Sequence, residues 1–438
     1  MDSKSETRRL LLIIWGLSIA TRLAFGLFVI GFDAPPIMDA ENYDQIAANL
    51  ISKGSYIQYN SLFENGVWYS YRAPLLPFVL AGVYYLFGHS LVASRLLMIL
   101  IGSIIPLVVF AFTRRIFGKT PAVIAAIISA CYPFFILYSN LLLTEAPAVL
   151  LTSLLILFLV RFSDEGRLRD VCVAGVMAGL GCLSRSSLLT FVPVAGLWVL
   201  VIKRGGYLRS LKAALLFLVV ALAVIAPWTY RNYLIHGQIV PISTLGGLQL
   251  WKGNNQWTTG KLDYDDRVLP EIRDRDMLPR IKPGPGTTME AEIDRFFRRE
   301  AWDFIKSHPK RFLVLGLKKI FHFWRPEGFG IPSLAEQTPK PVRLAVGLLS
   351  YVPLFLLFVV GLIRSLKDLS LFRNPGLLLL ALFMVGYTFF HAVFPSLVRY
   401  RQPLEPAIIA IGSWALTRLH AQPVVGFDEE GIAGHCAE

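Results

Sequence analysis

The chain has 438 residues, 55% of them hydrophobic and 13% aromatic, and only 17% charged. That is too apolar for a water-soluble domain, and the repeated long apolar runs point to a polytopic membrane protein. A net charge of +13 would suit a nucleic-acid binder, but the Lys and Arg residues cluster in short loops between apolar runs, as in cytoplasmic loops, so no nucleic-acid partner is expected.

Lys4, Arg8 and Arg9 precede the apolar run 10–32, which places the N-terminus in the cytoplasm and the next loop outside. The run has no small-residue cleavage site and is long enough to remain as an anchor. Arg22 sits mid-span, where a guanidinium is costly and needs a functional partner or a structural ion pair. The loop 33–73 brings three carboxylates, Asp39, Glu41 and Asp44, within six residues and ends in Tyr71-Arg72-Ala73-Pro74. The run 75–87 has only thirteen residues, short of the roughly twenty a span needs. Because 91–112 is followed by Arg114, Arg115 and Lys119, it must begin outside, so 75–87 is expected as an interfacial helix on the outer side.

The span 122–138 then climbs outward, and Thr144-Glu145-Ala146-Pro147 opens the next, which descends to Arg161, Arg167 and Arg169. Glu145 therefore shares the outer face with Asp39. Runs 171–183 and 188–202 form a hairpin around Ser184-Arg185-Ser186-Ser187, with Gly175, Gly179 and Gly181 suited to close helix packing. The run 213–228 ascends and delivers the largest polar segment. Its Gly-, Asn- and aromatic-rich start, through Leu250-Trp251-Lys252-Gly253-Asn254-Asn255, suits a loop that stacks on sugars or caps a cavity. Residues 289–307 carry Ile293, Phe296, Phe297, Ala301, Phe304 and Ile305 on one side, an amphipathic helix expected to lie on the membrane surface. The run 312–324, interrupted by Lys318, Lys319 and His322, is expected to be interfacial. Spans 342–363, 377–394 and 404–419 follow, with Arg399-Tyr400-Arg401-Gln402-Pro403 in the outer turn before the last. The pattern predicts about ten spans, or up to twelve if the short runs cross. Cys131, Cys172, Cys182 and Cys436 have no metal or disulfide spacing and read as packing residues.

Sorted by side, the outer positions hold Asp39, Glu41, Asp44, Arg72, Glu145, Arg185, Arg231, Arg399 and Arg401. Arginines on that side need a local reason, and a phosphate or diphosphate is the simplest. Carboxylates would repel a phosphate, so they need another: general-base activation of an acceptor nucleophile, or a bridging divalent cation. Glu41 and Asp44 are accessory candidates, since a first-turn helix acid or a surface partner explains them as well. Trp251 and Tyr400 are candidates to stack on a sugar or a prenyl chain.

Six blocks in order give these residues a family likeness. They are Asp39 with Tyr43-Asp44-Gln45-Ile46-Ala47, Tyr71-Arg72-Ala73-Pro74-Leu75-Leu76-Pro77, Leu143-Thr144-Glu145, Ala226-Pro227-Trp228-Thr229-Tyr230-Arg231-Asn232-Tyr233, Leu250-Trp251-Lys252-Gly253-Asn254-Asn255, and Arg399-Tyr400-Arg401-Gln402-Pro403-Leu404-Glu405-Pro406. With them the chain resembles the PMT/ArnT-like branch of the GT-C glycosyltransferases, which includes the dolichyl-phosphate-mannose protein mannosyltransferases and the aminoarabinose transferases acting on lipid A. The resemblance implies a GT-C fold and a catalytic aspartate in the first outer loop, at Asp39. It also implies an acidic residue at the second outer loop, Glu145, and basic residues on the donor phosphate, Arg72 and Arg185. Protein mannosyltransferases carry an adjacent Asp-Glu pair where Ala40 here separates Asp39 from Glu41, and they carry a β-trefoil insertion for which this chain has no room.

The expectation is an all-α polytopic membrane protein of GT-C fold. It has a transmembrane module over 1–228 with a catalytic outer loop 33–90, a large outer loop 229–341, C-terminal helices over 342–420 and a short cytoplasmic tail 421–438. It would be an inverting glycosyltransferase of a bacterial-type cytoplasmic membrane, moving a hexose or pentose from a polyprenyl-phosphate donor to a lipid or glycan acceptor on the outer face. Asp39 serves as base with Glu145 beside it, and Arg72, Arg185, Arg231, Arg399 and Arg401 hold the donor phosphate. A divalent cation, if used, sits between Asp39 and Glu145. The alternatives are a transporter or flippase of lipid-linked sugars, which would use the same arginines without needing Asp39, and a protein O-glycosyltransferase of the same fold.

Overall fold

The computed structural model describes residues 3–60, 66–260, 281–326 and 339–420. The expected tail 421–438, and the stretches 261–280 and 327–338 of the large outer loop, lie outside the described residues. In chain order come α1 (Ser3–Phe25, prolonged by a π-turn, Gly26–Ile30), α2 (Asp39–Lys53), strands β1 (Gln58–Asn60) and β2 (Gly66–Trp68), α3 (Leu75–Phe87) and α4 (Leu91–Phe117). Next are α5 (Lys119–Cys131), α6 (Pro133–Tyr138), α7 (Glu145–Glu165), α8 (Leu168–Ser184) and, after a 3₁₀ turn (Ser186–Thr190), α9 (Phe191–Val201). The rest comprises α10 (Tyr207–His236), α11 (Gly246–Gly253), α12 (Met289–Ser307), α13 (Pro309–Trp324), α14 (Lys340–Lys367), α15 (Ser370–Arg373), α16 (Pro375–Val393), a 3₁₀ turn (Val398–Leu404) and α17 (Glu405–His420).

Among the described residues, six helices are long and apolar enough to cross a membrane: α1, α4, α7, α10, α14 and α16. The chain is a multi-pass membrane protein. The other four expected spans fall on shorter pieces: 122–138 is divided between α5 and α6, the hairpin is α8 and α9, and 404–419 is α17. The division has a local cause. Pro133 lacks an amide hydrogen and keeps Tyr132 extended, at ψ 117. The carbonyl of Ala130, left without a helical partner, accepts from Arg22 Nη1 at 3.1 Å and from Thr21 Oγ1 at 3.2 Å. Arg22 also donates to Ser18 O at 3.0 Å and to Ser139 Oγ at 3.2 Å. The mid-span arginine therefore closes the end of a broken helix, and the partners it meets there are carbonyls and hydroxyls rather than a carboxylate.

Close packing of α8 on α10 follows from two glycines. A Cβ on Gly175 would come within 2.9 Å of Phe217 O, and one on Gly179 within 2.6 Å of Val224 Cβ, so only hydrogen fits at either. Beyond the bundle sits a second layer. The β1–β2 hairpin pairs antiparallel, with Tyr59 opposite Val67. Trp68 and Tyr71 pack with Leu248, Leu250 and Trp251 of α11 and with Ile293, Phe297 and Ala301 of α12 as a separate apolar core. The Thr288 hydroxyl starts α12 by accepting from the Ala291 amide at 3.3 Å, and Glu290 and Glu292 fill the first turn. The helix has the bounds its periodicity predicts, and Ile293, Phe297 and Ala301 of its apolar side are buried in this core. The aromatic side of α11 supplies the protein partner that sequence periodicity alone cannot reveal.

Candidate active site

The chain enters α2 through Met38, which holds φ 55 and ψ −120, a positive-φ setting that costs a side-chain-bearing residue energy. Asp39 is therefore the first helical residue, and Asn42 lies one turn further on the same side. Arg72 leaves the hairpin toward both. Its Nη2 donates to Asp39 Oδ1 at 2.7 Å and to Asn42 Oδ1 at 2.8 Å, and its Nε donates to Asn42 Oδ1 at 3.2 Å. The second Asp39 oxygen, Oδ2, accepts from Arg399 Nη2, delivered by the 3₁₀ turn that follows α16. Arg399 Nε lies 3.9 Å from Glu145 Oε1, and that oxygen accepts from Arg185 Nη1 at 2.9 Å. Glu145 opens α7, where the helix dipole favours a carboxylate. Arg185 stands at the extended residue between α8 and its 3₁₀ turn.

Arg72, Asp39, Arg399, Glu145 and Arg185 thus form one row of alternating sign. The Tyr400 ring closes it, 4.8 Å from the Arg185 guanidinium carbon and 5.4 Å from that of Arg399. The row is graded in depth: the Asp39 side chain is 20% exposed, that of Arg399 9% and that of Glu145 3%. Glu145 Oε2 is buried without a hydrogen-bond partner among the described residues, an acceptor with capacity to spare. Burial by itself would raise the Asp39 carboxyl; the guanidinium groups of Arg72 and Arg399 more than reverse this and hold it far below the usual carboxylate range.

The donor set suits an anion better than a divalent cation. Both Asp39 oxygens already accept from guanidinium groups, and Arg399 stands between the two carboxylates a metal would have to bridge. Among the described residues no group of three or more His, Cys, Asp or Glu side chains is placed to hold a metal ion.

Five other sequence candidates stand apart from this row. Arg231 donates to Tyr69 O at 2.7 Å and to Ser70 Oγ at 2.8 Å and stacks on Trp228, fixing the chain just before Arg72. Arg401 is fully buried: Nε donates to Glu405 Oε1 at 2.7 Å, Nη1 to Phe323 O at 2.8 Å, and the group lies over Tyr351. Trp251 is 2% exposed inside the second core, its ring tilted against that of Phe297 with centroids 5.0 Å apart, so it cannot meet a sugar. Asp44 accepts from the Tyr84 hydroxyl and pairs with His89 Nε2 at 2.8 Å. Glu41 is exposed on α2. Two residues near the row were not singled out by type. Asn42 supports Arg72, and its i, i+3 spacing from Asp39 was the available signal. Lys252, within the Leu250–Asn255 block, lies in the last turn of α11 with Arg72 and Asp39 both acting on its charge.

Comparison with known proteins places this architecture. The archaeal oligosaccharyltransferase AglB from Archaeoglobus fulgidus, solved with an inhibitory peptide and a dolichol-phosphate, superposes with a TM-score of 0.61 at 16% identity, over 95% of this chain and 50% of its own. The Archaeoglobus fulgidus oligosaccharyltransferase complex with Zn and sulfate gives 0.56 at 15% identity, over 94% and 49%. ArnT from Cupriavidus metallidurans bound to undecaprenyl phosphate gives 0.41 at 14% identity, over 92% and 78%. The chain spans about half the length of the oligosaccharyltransferases it matches. No curated protein sequence matches it significantly. The fold is that of the GT-C membrane glycosyltransferases, as the motif blocks imply. Within it, residues 71–230 match the family described as dolichyl-phosphate-mannose-protein mannosyltransferase, a segment that contains Arg72, Glu145 and Arg185. The likeness in sequence is thus confined to residues 71–230, and the likeness over the whole chain is one of fold.

Proposed function

We propose that the protein is an inverting glycosyltransferase that moves a sugar from a polyprenyl-phosphate donor to a lipid or glycan acceptor at the outer face of a bacterial-type cytoplasmic membrane. The observation that carries this reading is Asp39 held between Arg72 and Arg399, two guanidinium groups aimed at one small anion. At rest this Asp39 is a weak base, because both oxygens are engaged and its carboxyl is held far down. A donor phosphate competes for the same two arginines, as guanidinium binds phosphate oxygens in the fork geometry it uses for carboxylate. Donor binding then strips Asp39 of its partners and restores its basicity where the acceptor hydroxyl arrives. The acceptor oxygen bonds to the anomeric carbon from the face opposite the phosphate, and its proton passes to Asp39. The anomeric C–O bond breaks, and its electron pair leaves with the lipid phosphate, beside Arg72, Arg399 and Arg185.

A groove of about 680 Å³, lined by Leu50, Tyr56, Leu75, Phe78, Leu183 and Trp228 among others, gives the prenyl chain a path. Tyr56 in its wall donates to the Arg72 carbonyl at 2.9 Å, so the groove ends beside the row. AglB was solved with a dolichol-phosphate, which agrees in kind with a lipid-phosphate ligand. The outer-face assignment is supported by the opposite end of the bundle, where Arg115 pairs with Asp164 and Glu165 among the basic short loops.

The test is Asp39→Asn in a transfer assay with synthetic polyprenyl-phosphate sugar. Turnover should fall by about 10²–10⁴-fold, the usual worth of a general base, with donor binding retained. Unchanged turnover overturns the mechanism, and donor movement across the bilayer without transfer would favour a flippase instead.

A further inference from the structure

The two arginines that hold Asp39 arrive on separate arms. Arg72 follows Tyr71, which packs against α11 in the second core. Arg399 follows α16, a short turn beyond its last residue, Val393. The arms meet at Lys319. Its Nζ donates to Oδ1 of Asn254, the residue that ends α11, at 2.9 Å and to Val393 O at 2.8 Å. Asn254 Nδ2 closes the triangle, donating to Val393 O at 2.8 Å and to Leu250 O at 2.8 Å. The chain beyond Val393 is held again before it reaches Arg399. His391 Nδ1 lies 3.3 Å from Pro395 O, and a Cβ on Gly253 would come within 3.1 Å of Pro395 N. A shift at Lys319 is thus passed along a pinned segment to the Arg399 turn.

Burying that ammonium is costly. Lys319 is fully buried and meets two neutral oxygens, with the Phe312 ring 5.9 Å away, and no carboxylate of a described residue pairs with it. The elements packed around it carry Lys252 on α11, His391 on α16, Lys318 and His322 on α13, and Arg401, which bonds Phe323 O. All are basic, so none offsets the burial. An apolar side chain of similar length would pack there at less cost, but it could not hold oxygens from two arms together.

We propose that Lys319 is a positioning residue whose ammonium sets the spacing of Arg72 and Arg399 across Asp39, so that the row binds its anionic ligand more tightly while that tie is charged. This rests on the lipid-phosphate reading of the row. Burial lowers the ammonium to about 7. The folded protein therefore holds this proton less tightly than the unfolded chain, whose lysines titrate near 10.4. The group's contribution to stability is lowest below about 7 and rises with pH towards the unfolded value. The tie itself loosens over the same rise, because a neutral hydrogen bond is weaker than a charge-assisted one. Binding and stability thus move in opposite directions, whereas a merely structural lysine would move them together.

The experiment measures binding of methyl farnesyl phosphate, a diester of constant single charge, to the full chain in lipid nanodiscs from about pH 6 to 9, with a thermal melt at each pH. The guanidinium groups stay charged throughout and Asp39 stays ionised, so neither gives a slope. Wild-type affinity is expected to fall by up to about fivefold across the range, the difference between a charge-assisted and a neutral hydrogen bond, while the melting temperature rises. Lys319→Met should bind weakly at every pH and lose both slopes. Asn254→Asp gives the ammonium a carboxylate partner and should keep binding tight to the alkaline end. A binding slope that survives in Lys319→Met belongs to another group, such as Lys252 or His391, and overturns the proposal. Level wild-type affinity overturns it too, with the lipid-phosphate reading left standing. A wild type that binds no diester at any pH overturns that reading itself.

Discussion

Arg399 and Arg401 lie two residues apart on one 3₁₀ turn, yet they belong to different kinds of region. Arg399 shares Asp39 with Arg72 in a row whose Asp39 end is 20% exposed. Arg401 is sealed against Glu405 at 1% and 0% exposure, with a backbone carbonyl and the Tyr351 ring completing its surroundings. The Tyr132 hydroxyl adds a 3.1 Å hydrogen bond to Glu405. One region is closed on itself and carries structure. The other, on the function proposed above, is an anion site occupied by the protein's own carboxylate, which the donor phosphate would replace. Ion pairs of similar length thus sit in different settings, and depth of burial distinguishes them.

The sharpest way to break the comparison is to remove one partner from each region. Arg401→Ala leaves Glu405 buried and charged, and should cost about 3–5 kcal/mol of stability, read as loss of folded protein in a detergent thermal melt. Replacing the pair together, as Arg401→Met with Glu405→Leu, should restore most of it, since a well-packed apolar pair can match a buried ion pair. Arg399→Gln should behave the other way. The melt should move little, because Asp39 keeps Arg72, while kcat/KM should fall by about 10²-fold or more through loss of a charge-assisted phosphate contact. Equal losses of stability in the two single variants would end the distinction.

This distinction also shows what the sequence carried. The helices over 75–87 and 289–307 were legible to the residue, because apolar periodicity with Pro74 and Thr288 at their starts defines such elements locally. Of the residues that sidedness sorted to one face, the structure brings Asp39, Arg72, Glu145, Arg185 and Arg399 into one row. Sidedness could not separate Arg399 from Arg401. At three residues per turn, positions two apart point about 120° away from each other, so one turn does not aim both at one ligand. That angle exists only once the 3₁₀ geometry is known. Trp251 failed for a related reason: an aromatic in an outer loop reads the same whether it faces a sugar or a second core that brings residues 68, 251 and 297 together. Lys319 was visible in its run, but the two oxygens that fix it are a property of three-dimensional surroundings.

A smaller effect is expected at Glu290, which ties the second layer to the row. It accepts from the Tyr69 amide at 2.6 Å and the Ser70 amide at 3.0 Å, while His236 Nε2 lies 2.8 Å from Ser70 Oγ. Burial raises its carboxyl above the ordinary value despite these donors. The folded protein then holds the proton more tightly than the unfolded chain, so this group's contribution to stability is greatest below the ordinary value near 4 and declines as pH rises through the folded value. Glu290→Gln should cost about 1–2 kcal/mol by leaving one donor unmatched, and should remove that decline from melts taken between pH 4 and 7. A decline that persists in the variant would assign it to another group.

The smallest effect, and the finest test of the open region, is at Met38. Its positive φ costs on the order of 1 kcal/mol, and nothing in α2 itself requires it, since a helix can begin with relaxed backbone. What the turn does is set the direction in which Asp39 leaves the chain. The Met38 carbonyl also accepts from the Asn42 side-chain amide at 3.3 Å, which orients the Oδ1 that Arg72 shares. Met38→Gly removes the strain and adds freedom to the unfolded chain, so the melt should shift by no more than about 1 kcal/mol in either direction. Turnover should nevertheless fall several-fold, because glycine also lets the carboxylate swing away from the line of attack. If the melt and the turnover both stay at wild-type values, the strained turn has no part in aiming Asp39. If turnover alone falls, the backbone of Met38 belongs to the machinery that the alternating row makes chemical.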